Sequence, residues 1–310
     1  MRVSRRALVL GVSAIACSRR EQSVATTPPM MPSPTSSLAR DASSALGQVD
    51  VLEWTTEGVS TRAAIIAPRW GQAERMPVLV ALHGRGEAVK PPREGALGWP
   101  RDYALVRAIE RVCSPPLTDA DYEGLSDPER LQRENERLAK RPFGGLVVVC
   151  PHVPDLDLKK ESDVLGFGRF LIEVLLPRVR REARALDAPE STGIDGVSLG
   201  GHLALRVGLT APEQFGAVGA LQAAIDDTRV QALTDLALAA RSKRPKLALR
   251  LTTSHDDYYA PFIHSLDDAW THAGVAHDFG DVPGPHDYPF NRGPGAYEML
   301  LWHDRTLARG

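Results

Sequence analysis

The chain is poor in aromatics, cysteine and long apolar runs, and neither sign of charge dominates. Aromatic residues make up 6% of its 310 residues, too few near any one motif to suggest a surface for long acyl chains. Only three cysteines occur, Cys17, Cys113 and Cys150, and neither paired C-x-x-C nor H-E-x-x-H is present, so nothing has metal-ligand spacing. Lys plus Arg number 37 against 39 Asp plus Glu, a net charge of −2. No basic patch is dense enough for nucleic acid. The apolar stretch from Ala7 to Ala16 falls short of the about 20 residues that a membrane-spanning helix needs. The run His83-Gly84-Arg85-Gly86 lacks the third glycine of a dinucleotide fingerprint. No internal repeat is visible, and no cofactor or metal is called for.

What is present divides the chain in three. Met1-Arg2-Val3-Ser4-Arg5-Arg6 followed by the short apolar stretch reads as an export leader of twin-arginine type, residues 1–17, and Ala14-Ile15-Ala16-Cys17 is similar to a bacterial lipobox. Lipidation of Cys17 would leave the protein anchored at the cell envelope, and plain cleavage nearby would leave it periplasmic or secreted. Loss of Arg2, Arg5 and Arg6 with the leader would take the net charge to −5. Residues 18–47 are rich in Ser, Thr, Pro and Ala. They offer too little apolar area to offset the entropy of ordering and are expected to form a tether. The remainder, 48–310, with 43% hydrophobic and 25% charged residues overall, suffices for one large globular domain.

Within that domain short apolar runs alternate with longer amphipathic segments, the pattern of a mostly parallel α/β sheet with helices on both faces. Eight strands are predicted near Val49–Trp54, Thr61–Ile66, Pro77–Leu82, Gly145–Cys150, Gly193–Val197, Ala217–Leu221, Leu247–Thr252 and Ala276–Asp281. Helices are predicted over Asp102–Val112, Asp163–Leu186, Leu199–Thr210, Thr228–Ala240, Ala260–Ala273 and Pro294–Leu307. A charged insert at about 114–142 is read as a solvated surface excursion, with a lid over the site as the alternative.

One motif stands out. Gly196-Val197-Ser198-Leu199-Gly200-Gly201 matches G-x-S-x-G and falls where a strand gives way to a helix, the setting of a nucleophile elbow. A serine hydroxyl is a weak nucleophile unless a base takes its proton and amide N–H groups receive the oxyanion. Of nine histidines, His286 is best placed for the base. It lies in the loop Val282-Pro283-Gly284-Pro285-His286-Asp287-Tyr288 after the last predicted strand, where parallel sheets assemble their sites. The carboxylate should follow the preceding strand, in Thr252-Thr253-Ser254-His255-Asp256-Asp257-Tyr258. Asp257 is the first candidate and Asp256 the alternative. For the oxyanion, Leu199 offers one backbone N–H and the turn after the third strand another, from Arg85 or alternatively Gly86. His83 is expected to hydrogen-bond that loop, His277 to pack, and His255, His264, His272 and His303 to lie at the surface.

The runs L-H-G-R-G, G-V-S-L-G-G-H-L-A-L with Ala211-Pro212-Glu213-Gln214-Phe215-Gly216, and P-G-P-H-D-Y resemble the blocks of the α/β-hydrolase superfamily, in its esterase D-like and phospholipase/carboxylesterase branches. They span about Val78 to Leu307. The resemblance implies an α/β-hydrolase fold, Ser198 as nucleophile, His286 as base and an aspartate near 257, acting on carboxylic esters through an acyl-enzyme. Ser254 where glycine is usual and Tyr288 where tryptophan often follows depart from the pattern. An acyltransferase with the same acyl-enzyme and a non-catalytic surface-binding module are the competing classes. The expected partner is a small-molecule or polysaccharide ester. No nucleic acid is expected, and the membrane only through the lipid anchor. Trp70, Trp99 and Tyr258-Tyr259 could line a pocket or pack. Cys113 and Cys150 could form a disulfide or remain separate thiols.

Overall fold

Residues 49–56, 59–66 and 75–309 are described by the computed structural model. The leader, Cys17, the 18–47 tether and Trp70 lie outside them. The eight strands are β1 (Val49–Thr56), β2 (Val59–Ile66), β3 (Val78–Leu82), β4 (Val147–Pro151), β5 (Thr192–Gly196), β6 (Ala217–Leu221), β7 (Ala248–Asp256) and β8 (Asp278–Pro285). They form one sheet in the order β1-β2-β4-β3-β5-β6-β7-β8. β2 runs antiparallel to β1 and to β4. The remaining neighbours are all parallel, as expected for an α/β-hydrolase.

β3, β4 and β6 are apolar without interruption because both faces of the sheet are covered. Alternate residues feed opposite layers. Val78, Val80 and Leu82 of β3, with Val147 and Val149 of β4, enter a core shared with the helices Leu199–Thr210, Asp227–Lys243 and Ala260–His272. Leu79, Ala81, Val148 and Cys150 enter the opposite core, beside the helices Leu105–Val112 and Ala296–Thr306. The chain reverses its winding where β4 and β5 flank β3, which opens a crevice at the carboxyl ends of the central strands.

Several expectations are corrected. The long helix expected over Asp163–Leu186 is two helices, Glu161–Arg169 and Leu176–Glu182, joined by a π-helical turn at Phe170–Leu175. Pro177, in the first turn of the second helix, has no N–H to continue the ladder. The helix expected from Asp102 begins at Leu105, after Ala104 at φ +52°. His303, expected at the surface, is wholly buried with Nε2 3.0 Å from Asp195 Oδ2. Cys113 and Cys150 are free thiols. Burial raises the pKa of both, that of Cys113 to about 12.

The insert is docked rather than merely solvated. Its helix Pro128–Lys140 starts with Asp127 accepting from Arg130 N–H at 2.7 Å and Pro128 in the first turn. Leu117, Asp121, Tyr122, Glu134 and Leu138 are buried, and Tyr122 stacks on Tyr297 at 4.7 Å. Arg130 grips Glu298 through two 2.6 Å hydrogen bonds, and Arg305 reaches Glu134 at 2.6 Å. These bidentate and partly buried pairs hold the segment against the terminal helix.

Candidate active site

The turn after β5 carries Ser198 at φ +57°, ψ −116°. A residue with a side chain occupies that region only when its surroundings enforce it, at a cost of roughly 1–3 kcal/mol. Here both neighbouring strands do so. Val197 N–H donates to Leu82 O at 3.1 Å and Ser198 N–H to Leu221 O at 3.0 Å, while Ser198 O accepts from His202 and Ala224 N–H at 3.0 Å each. A Cβ on Gly196 would lie 2.6 Å from the Gly200 backbone, so only glycine lets the chain double back this tightly. Ser198 is half-buried at the head of the helix Leu199–Thr210.

The two other expected side chains meet at the ends of β7 and β8. His286 Nδ1 lies 2.8 Å from Asp257 Oδ1. The same carboxylate accepts from Thr253 Oγ1 and from Tyr259 N–H, both at 3.0 Å, and the Asp257 side chain is completely buried. A carboxylate so surrounded can only accept, so the His286 proton sits on Nδ1 and Nε2 keeps its lone pair. Asp256, by contrast, is exposed and pairs with Pro285 through the strand. Tyr258 and Tyr259 flank the imidazole with ring centroids at 4.4 and 5.5 Å. Tyr258 is 63% exposed. Trp99 is buried, its Nε1–H donating to Leu82 O at 2.9 Å.

The loop after β3 holds the amides singled out for the oxyanion. Leu199 and Arg85 both open helices, where first-turn N–H groups lack an intrahelical acceptor. Gly84 O takes a hydrogen bond from His83 Nδ1 at 2.9 Å, while His83 Nε2 accepts from Val153 N–H at 2.9 Å. Both ring nitrogens are thereby committed. Burial lowers the His83 pKa to about 3, so the ring is neutral at pH 7 and takes no part as a base. Because a trans peptide is planar, pinning Gly84 O toward His83 turns the Arg85 N–H the opposite way. Gly84 N–H is occupied, donating to Tyr103 Oη at 3.3 Å. A Cβ on Gly84 would sit 3.7 Å from Ser198 Cβ, which places this loop directly against the elbow. Gly86 is exposed on the same turn.

The sequence reading missed two groups beside these residues. Gln222, just past β6 at φ +44°, donates from Nε2 to Ser254 Oγ at 2.5 Å and to Pro285 O at 3.1 Å. It thereby ties the histidine loop to the serine that stands where glycine is usual. Its position at the carboxyl end of a central parallel strand was the available signal. Glu87 is wholly buried and accepts from Tyr288 Oη at 2.7 Å, from Lys90 Nζ at 3.3 Å and from Tyr103 Oη. Among the described residues no cluster of His, Cys, Asp and Glu is suited to a metal ion, and no helix is long and apolar enough to cross a membrane.

A family model described as a putative esterase matches residues 157–288, a stretch that contains Ser198, Asp257 and His286. Among curated proteins no sequence matches the chain. Similar solved structures include a ferulic acid esterase, at 17% identity and a TM-score of 0.62 over 84% of this chain and 98% of that one. The S-formylglutathione hydrolase of Staphylococcus aureus matches at 15% identity and 0.59, over 83% and 96%. The enterobactin esterase of Shigella flexneri matches at 20% and 0.54, over 83% of this chain and 59% of that one. At these identities the structures speak for the fold alone. The chain is thus similar to these esterases and hydrolases in fold, and to the esterase family over residues 157–288.

Proposed function

We propose that the protein hydrolyses carboxylic esters in two steps through an acyl-enzyme on Ser198. The reading rests above all on the 2.8 Å pairing of His286 Nδ1 with buried Asp257, together with a serine on a strained elbow. Ser198 Oγ attacks the ester carbonyl while His286 Nε2 takes its proton. The carbonyl π electrons move to oxygen, and the Leu199 and Arg85 N–H groups receive the oxyanion, with Gly86 as the alternative donor. The intermediate collapses, the C–O bond to the leaving alcohol breaks, and His286 gives that alcohol the proton. Water, deprotonated by the same imidazole, then attacks the acyl carbonyl, the bond to Ser198 Oγ breaks, and His286 returns the proton to that oxygen as the acid leaves. Asp257 holds the imidazole tautomer and stabilises its cation.

For the substrate we favour a small-molecule or polysaccharide-borne ester with a flat group near the reacting carbon. The support is the pair Tyr258 and Tyr259 against His286, since aromatic faces take planar groups well. The leader and Cys17 favour work at the cell envelope. Turnover of p-nitrophenyl acetate, butyrate and octanoate beside methyl ferulate tests the reading. Acetate and ferulate should be cleaved with octanoate the poorest, and a preference for octanoate would contradict the proposed site. Products that partition to an added alcohol far above its molar share would contradict hydrolysis in favour of transfer.

A further inference from the structure

The Glu87 carboxylate has no part in the mechanism above, yet it joins the oxyanion loop to the loop that carries His286. It sits in the short helix Arg85–Ala88 that follows the oxyanion loop and is fully buried. Three donors from three directions converge on it. Tyr103 Oη comes from the segment ahead of the helix Leu105–Val112, Tyr288 Oη from two residues beyond His286, and Lys90 Nζ from the loop after its own helix. Lys90 also donates to Asp102 at 3.1 Å. Tyr103 passes the constraint on, since its hydroxyl oxygen accepts from Gly84 N–H at 3.3 Å. The Tyr103 and Tyr288 rings meet edge to face at 5.6 Å.

Burying an ion pair is a poor way to gain stability, because desolvation offsets most of the attraction. A hub of this kind is better explained by what it positions. One arm fixes the peptide that precedes Arg85, and the other fixes the loop that carries His286. Asp257 holds the imidazole from one side, while the Tyr288 hydroxyl anchors the backbone two residues away from the other.

We propose that Glu87 is a positioning residue that sets the oxyanion amide and the histidine in register, through Tyr103 on one arm and Tyr288 on the other. The inference rests on the triad reading given above. It assigns Glu87 and Tyr288 an effect on the chemical step and little effect on substrate binding, because the oxyanion contact strengthens only in the transition state.

The test compares wild type, Glu87→Gln, Tyr288→Phe, the double variant and Ser198→Ala, by kcat and KM on p-nitrophenyl acetate, with thermal melting as a check on folding. Tyr288 is 38% exposed and its variant loses one oxygen, so it remains readable if Glu87→Gln fails to fold. The expected result for each single variant is a kcat lower by about tenfold with KM within about twofold. The double variant should be no worse than the weaker single, as for two residues acting through one contact. Single variants with wild-type kcat, a change in KM alone, or fully multiplicative losses would overturn the coupling while inactive Ser198→Ala left the triad standing. An active Ser198→Ala would instead overturn the triad reading itself.

Discussion

The molecule contains two aspartate–histidine pairs of nearly the same length, and they are built for opposite ends. Asp257 and His286 lie 2.8 Å apart at the mouth of the sheet, and Asp195 and His303 lie 3.0 Å apart in its core. In the first pair the aspartate takes Nδ1, leaving Nε2 free on a half-buried ring. In the second it takes Nε2. That pair is sealed, and His303 Nδ1 has no hydrogen-bond partner. Arg250 also competes for the carboxylate, its Nη2 donating to Asp195 Oδ2 at 2.8 Å while its guanidinium lies 4.7 Å over the Trp302 ring. Burial lowers the His303 pKa, so the ring is a neutral donor and has no route for a proton. The pairing alone therefore does not make a base. The nitrogen it uses and the access left to the other one do.

Substitutions at the two pairs should separate the roles. His286→Ala or Asp257→Asn should lower kcat by roughly 10³–10⁴-fold, with a melting temperature within a few degrees of wild type. A variant that keeps more than a tenth of kcat would break the comparison. His303→Ala leaves Asp195 short of a partner and opens a cavity. It should cost about 3 kcal/mol in urea unfolding, while kcat per folded molecule stays within about threefold. Equal kcat losses at both pairs would mean that the core pair also takes part in the chemistry.

Acid should act on the core before it touches the fold elsewhere. His83, His202, His152 and His303 all have lowered pKa values, with burial the leading cause, to about 3 for His83 and about 4 for His202. They are neutral when folded and take up protons on unfolding below their ordinary pKa of 6.5. Their stabilising contribution is thus complete above pH 6.5 and is lost as the pH falls from there toward 4 and 3. The urea midpoint should decline steadily from pH 7 to pH 5, and a flat profile over that range would contradict the assignment. Smaller effects are expected where charge is solvent-facing. Asp256→Asn should change kcat by less than about twofold, set against its neighbour Asp257, as measured on the same p-nitrophenyl ester.

Much of this was legible in the sequence, for reasons that differ by residue. The elbow is encoded locally, because Gly196 and Ser198 face steric demands that few other residues meet. The strands were legible because β3 and β4 are apolar on both faces. The loop carrying His286 could be placed because it follows the last strand of a parallel sheet. The choice between Asp257 and Asp256 was not legible. β7 runs four residues beyond its expected end at Thr252, still paired with β8 through a register shift between Ser254 and Asp256. Only where that strand finally ends does one aspartate turn inward. The Glu87 hub and the Asp195–Arg250–His303 cluster were invisible for another reason. Apart from Lys90 beside Glu87, they join residues 16 to 201 positions apart, and no local periodicity records such contacts. The docked face of the insert belongs with them, since Arg130 meets Glu298 only after the terminal helix is in place.

The central claim, that Ser198 is the nucleophile made reactive by His286 and Asp257, is tested most directly by labelling the folded domain with a fluorophosphonate and mapping the modified peptide. The account predicts a single stoichiometric adduct on Ser198 that forms in wild type, in Asp256→Asn and in folded His303→Ala, and is nearly absent in His286→Ala. An adduct on another residue, or labelling of Ser198 that is indifferent to loss of His286, would contradict it.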